Sequence, residues 1–138
     1  MPLSRDELLA LDTPAHLGTL DRFGHPRITP IWFVFEDGCF YMSSLVNKRH
    51  VMDLRRDPRA SIRVDHESPT ATDGVRENAQ VGARGEAELR RDGAGEWTYR
   101  ITLKYVRGDD GLTRAEMRAA QDRVLIVLRP KHIEYVST

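Results

Sequence analysis

The segment Tyr41-Met42-Ser43-Ser44-Leu45-Val46-Asn47-Lys48-Arg49-His50 brings two hydroxyl donors next to a run of basic side chains. An apolar stretch that reads as a strand ends in the two serines. Asn47 is a good helix N-cap, and the helix expected after it runs through Val51, Met52, Leu54 and Arg55 to Asp57-Pro58. Its first turn then contains Lys48, Arg49 and His50, the wrong sign for a free helix. The N-terminal end of a helix carries about half a positive charge, so each cation there costs roughly a few tenths of a kcal/mol. A bound phosphate reverses the penalty: backbone N–H groups, the dipole and the cationic side chains converge on it. Ser43 and Ser44 add neutral donors. The same residues also suit a solvated helix end whose long side chains reach into water.

Other chemistries find less support. His16, His25, His50, His66 and His132 show no metal-ligand spacing, so no metal site is expected. No Gly-x-Ser-x-Gly elbow surrounds Ser43 or Ser44, and the chain has no Gly-x-Gly-x-x-Gly or Walker loop. Cys39 is the one cysteine. It cannot form an intramolecular disulfide, and in a strand it reads as a small core residue. Trp32 and Trp97 read as core residues, and Trp32 also suits a place beside a planar ring.

The elements that position these residues are mostly strands. Ser4-Arg5-Asp6-Glu7 is a capping box with Leu3 and Leu8 as its staple, and Thr13-Pro14 ends that first helix. Ala15–Leu20, Pro26–Phe35 and Cys39–Ser43 read as strands, joined by turns at Asp21–Gly24 and Glu36-Asp37-Gly38. Pro26–Phe35 is apolar on both faces in its second half. One face meets the barrel core; a helix, a partner subunit or a ligand must cover the other. Arg59–Asp65 alternates as a half-buried strand. Residues 66–76 form a loop. Glu77–Arg90 is a long strand bent near Gly82 and Gly85. Residues 95–107 are helical. A second capping box at Thr113–Glu116 starts a short helix ending near Gln121. The strands Arg123–Arg129 and Ile133–Val136, separated by Pro130, close the chain.

A chain of 138 residues without repeats or linkers is one domain, residues 1–138. Its 21 basic and 21 acidic side chains cancel, which argues against a nucleic-acid binder. No apolar run approaches the roughly 20 residues of a membrane helix, and the N-terminus has no signal pattern. A soluble, cytoplasmic protein is expected. The fold class is mainly β: a small antiparallel barrel with short helices.

The order of these segments resembles the pyridoxamine 5'-phosphate oxidase-like superfamily of flavin and deazaflavin reductases. The resemblance is carried by His16–Leu20, Gly24–Phe33, Asp37-Gly38, Phe40–Ser44, Asn47-Lys48-Arg49 and Asp57–Ser61. It implies a six-stranded antiparallel split barrel that forms a homodimer, with FMN or the deazaflavin F420 at the interface. It implies that Lys48, with Ser43, Ser44, Asn47 and Arg49, holds the cofactor phosphate. Thr29, Pro30, Ile31 and Trp32 would line the ring system. The implied activity is hydride transfer to or from a small organic substrate, performed by the cofactor, with no side chain nominated as acid, base or nucleophile. The alternative is a protein that binds or sequesters flavin, F420 or haem without turnover. Two features depart from the true oxidases. The Arg-Lys pair appears as Asn47-Lys48, and the chain ends at Thr138 without the substrate-gripping Arg and His tail, so vitamin B6 oxidation is not expected. Trp32-Phe33 and Asp57-Pro58-Arg59 resemble the F420 branch more closely than the FMN branch.

Overall fold

The computed structural model describes residues 2–138. The chain opens with α1 (Arg5–Ala10). Ser4 Oγ accepts from the Glu7 N–H at 3.1 Å, and the Ser4 N–H donates to Glu7 Oε1 at 2.9 Å. This reciprocal cap starts the helix, which buries Leu8 and Leu9. The remaining elements are β1 (Ala15–Leu20), β2 (Pro26–Ile31), β3 (Val34–Glu36), β4 (Cys39–Leu45), α2 (Arg49–Arg56), β5 (Arg59–Glu67), β6 (Asn78–Arg90), α3 (Glu96–Tyr105), α4 (Gly108–Ala119) and β7 (Arg123–Ser137).

Seven strands, not six, form one antiparallel sheet in the order β2-β1-β5-β6-β7-β4-β3. The expected single strand Pro26–Phe35 is interrupted at Trp32-Phe33. Before the break it pairs with β1, and after it with β4, at the opposite edge of the sheet. Three backbone steps separate Ile31 from Val34, at most about 11 Å. The two edges therefore meet at this corner, and the sheet curls into a split barrel. Apolar alternation continues across the break, so the sequence pattern does not reveal it.

The turns follow their chemistry. Asp21 Oδ1 accepts from the N–H groups of Phe23 and His25, each at 2.9 Å. Asp37 and Gly38, with φ of 51° and 77°, supply the two left-handed residues of a tight hairpin. At the other end, β7 is continuous where two strands were expected. Arg84 pairs with His132 but Gly85 pairs with Pro130, leaving Lys131 as the extra residue of a bulge. Proline is tolerated there because it owes the ladder no N–H. A side chain at Gly85 would stand 3.0 Å from the Arg129 carbonyl oxygen, so the bulge packs most tightly without one.

Leu8, Leu17, Phe33, Phe40, Met42, Val51, Val64, Val81, Ile126 and Leu128 are fully buried and fill the barrel. Two helix starts differ from expectation. The N-cap of α2 is Lys48, not Asn47, and no side chain caps it. The last helix begins at Gly108, so Thr113 lies inside it; Asp109 and Asp110 in its first turn suit the dipole there. No helix among the described residues is long and apolar enough to cross a membrane.

Candidate functional site

A cleft of about 890 Å³ opens where the barrel corner meets the helices. Pro30, Ile31 and Trp32 supply one wall, at the end of β2. Ser43, Ser44 and Leu45 come from the end of β4, and Lys48 and His50 from the start of α2. Helix α4 and the chain after it contribute Asp110, Arg114, Met117, Arg118, Gln121 and Arg123. Six of the nine residues singled out in the sequence thus share one cleft: Pro30, Ile31, Trp32, Ser43, Ser44 and Lys48. The other three stand apart. Thr29 is half-buried in β2 opposite Leu17, and Asn47 is exposed. Arg49 lines a separate hollow with Arg22, Arg27, Met52 and Arg56.

The two serines are buried and committed to protein partners. Thr98 Oγ1 donates to Asp92 Oδ2 at 2.6 Å, so the proton between Ser43 Oγ and Thr98 Oγ1, 2.7 Å apart, comes from Ser43. Ser43 Oγ in turn accepts from Arg123 Nε at 2.9 Å. Asp92 also receives the backbone N–H groups of Trp97 and Thr98, at 3.0 and 2.8 Å. It caps α3 from outside, because the N-cap position is Gly95. The relay Asp92–Thr98–Ser43 therefore sets the direction of Arg123. Ser44 Oγ donates to the Leu45 carbonyl at 3.1 Å and so accepts from His50 Nε2 at 2.9 Å. Burial, then the Lys48 charge, pull the His50 pKa below its usual value, so the ring is neutral at pH 7.

Sequence reasoning missed the cations on the far wall. Arg114 and Arg118 are four apart on α4, a pattern that reads as a solvated helix face. Instead, the Arg118 guanidinium lies over the Trp32 ring, 4.8 Å from its centroid, and donates to Thr102 Oγ1 at 2.7 Å. The Tyr105 ring stacks on Trp32 at 4.8 Å with an interplanar angle of 3°. Trp32 thus ties α3 and α4 to the barrel as well as lining the cleft. Burial, with repulsion from Arg123 and Arg114, pulls Arg118 down to about 10. Burial also lowers Arg123, partly offset by Asp92. Among the described residues, neither guanidinium forms an ion pair, and the lining holds Lys48, Arg114, Arg118 and Arg123 against Asp110.

The opposite flank of α2 is saturated. Buried Asp53 accepts from Arg27 Nε at 2.7 Å, Thr19 Oγ1 at 2.8 Å and Arg56 at 3.1 Å. Burial pushes its carboxyl up, but the Arg27, Thr19 and Arg56 contacts together hold it below the ordinary value.

A mainly β sheet closed into a barrel that is split at one corner, with a cationic cleft at that corner, is the split-barrel fold. The chain belongs to the pyridoxamine 5'-phosphate oxidase family, whose pattern it matches over residues 5–137. A comparison with curated proteins gives no match. Among solved structures, an F420 reductase shares the fold with a TM-score of 0.69 and 19% identity, covering 97% of this chain and 98% of its own. An FAD-binding protein from Mesorhizobium loti gives 0.67 and 18%, covering 99% and 96%. A heme binding protein from Mycobacterium smegmatis gives 0.71 and 23%, covering 95% of this chain but 54% of the longer neighbour. At these identities the likeness is one of fold.

Proposed function

We propose that the cleft binds a phosphorylated flavin-type cofactor, F420 in preference to FMN, and serves hydride transfer to or from a small organic substrate in a homodimer. The observation that carries this is the start of α2. A helix whose first N–H groups no side chain caps starts at Lys48, and Lys48 lines the cleft with an apolar wall of Pro30, Ile31 and Trp32. That donor set fits a phosphate joined to a planar ring. The family and its F420- and FAD-binding structural neighbours support the same choice.

Lys48 and the first turn of α2 hold the phosphate. The neutral His50 keeps Ser44 oriented without adding charge. Pro30, Ile31 and Trp32 exclude water from the ring. Ser43 serves indirectly, by aiming Arg123. When bound, the cofactor supplies the hydride chemistry, and the protein supplies position and a dry environment. Haem suits the cleft less well, because His50, the one histidine on the lining, commits Nε2 to Ser44.

Equilibrium titration of the full chain with F420 and with FMN, followed by absorption spectra of the complexes, tests the proposal. Saturable binding of F420 tighter than of FMN is the expected result. A chain that binds neither overturns it.

A further inference from the structure

We propose that Arg118 and Arg123 form a second oxyanion subsite, apart from the α2 end, and that the substrate taken by the cleft is a small apolar molecule bearing a carboxylate. The assignment rests on the cofactor proposal above, which gives the α2 end to phosphate. Both guanidiniums are pinned by neutral groups. Arg118 donates to Thr102 Oγ1 at 2.7 Å. Arg123 donates to Ser43 Oγ at 2.9 Å, to the Ser43 carbonyl at 3.2 Å and to Gln121 Oε1 at 2.6 Å. A guanidinium has five N–H donors. These contacts use one of Arg118's and three of Arg123's, and both side chains line the cleft.

Elsewhere the fold answers its anchored guanidiniums with carboxylates. Arg27 and Arg56 share Asp53, and Arg100 grips Glu36 with two bonds of 2.7 and 2.9 Å. On the cleft wall no carboxylate among the described residues bonds either guanidinium, although partial burial disfavours both charges, Arg123 repels Arg118, and Asp92 offsets only part of the cost at Arg123. A guanidinium fork matches a planar oxyanion in a bidentate manner. The neighbouring lining of Ile31, Trp32, Val106 and Met117 is apolar or aromatic. Together they describe a carboxylate on a hydrophobic body. A phosphate offers related chemistry, and the test separates the two.

Calorimetric titration of the full chain with benzoate, its neutral isostere benzamide and inorganic phosphate provides the measurement. Benzoate is expected to bind at least about tenfold more tightly than benzamide, the order of one charge-assisted bidentate contact, and more tightly than phosphate. Arg118→Gln removes that preference; Arg118→Lys, which keeps the charge but loses the fork, retains part of it. Equal affinity for benzoate and benzamide in the unaltered chain overturns the proposal without needing any variant, as does phosphate binding that is at least as tight as benzoate and is lost in Arg118→Gln, since phosphate held at the α2 end would survive that change. Parallel titrations with F420 and FMN distinguish the two assignments. If Arg118→Gln weakens the cofactor as much as Lys48→Ala does, the wall belongs to the cofactor and the subsite is refuted. If neither cofactor binds but the benzoate preference persists, the subsite stands and the cofactor assignment falls.

Discussion

Two cationic regions flank α2 and are built on opposite principles. On one side, Arg27 and Arg56 converge on buried Asp53, and both of these guanidiniums have their partner inside the chain. On the other, Lys48, Arg118 and Arg123 face a cleft without a carboxylate bonded to any of them among the described residues. Both regions are Arg-rich, and composition does not separate them. Pairing does. The saturated cluster holds the helix to β1 and β2; the unsaturated one keeps guanidinium N–H groups that no contact among the described residues uses.

Removing the shared carboxylate is the strongest way to break this contrast. Asp53→Ala is expected to cost about 2–3 kcal/mol of unfolding free energy in urea, the lower end for a broken buried pair because Arg27 and Arg56 can regain water. F420 affinity of the folded variant should be unaltered. A loss below ~0.5 kcal/mol would mean the two regions are energetically alike. Lys48→Ala should do the reverse: about 30-fold weaker F420 binding, near 2 kcal/mol, with the unfolding midpoint unmoved.

A cation answered by neutral acceptors sharpens the comparison through pH. Lys104 Nζ donates to the carbonyls of Leu9 and Phe33, each at 3.0 Å. Burial lowers its pKa to about 8. Between about pH 8 and 10 the unfolded chain therefore holds a proton that the folded chain has released, and stability rises with pH across that window. The rise should be on the order of 1 kcal/mol, given the partial exposure of the group. Urea titrations at pH 7.5 and 9.5 measure it, and Lys104→Met should abolish it. The smallest expected change is in the stability of Arg118→Met: a shift within about 1 kcal/mol of zero, because the lost bond to Thr102 is offset by relief of an unpaired, half-buried charge. Thermal melts of the two chains would show whether Arg118 is instead a structural residue like Arg27.

What could be read from the residues alone was mostly local. The cap at Ser4, the Asp37-Gly38 turn and the alternation of β5 depend on neighbours in sequence, and each is present as expected. Ser43, Ser44 and Lys48 line one cleft with Pro30, Ile31 and Trp32, while Thr29, Asn47 and Arg49 lie outside it. The break at Trp32-Phe33 was hidden because apolar alternation fits either a straight strand or a corner. Thr113 looked like a helix start, but a capping box in sequence is only an option; α4 had already begun at Gly108. Pro130 looked like a terminator because the bulge at Lys131 that accommodates it forms only against Gly85, on a partner strand 45 positions earlier. Arg118 and Arg123 were invisible for the same reason. Their meaning comes from Trp32, Thr102 and Ser43, which are distant in the chain.

Trp32 and Phe33 form the link between the two edge strands of the barrel, and Trp32 is also part of the cleft wall. The seam of the barrel and the surface offered to a ligand are thus one short piece of backbone. A molecule seated against Trp32 braces the closure of the whole sheet, and a barrel that loosens there loses its grip on whatever it carries.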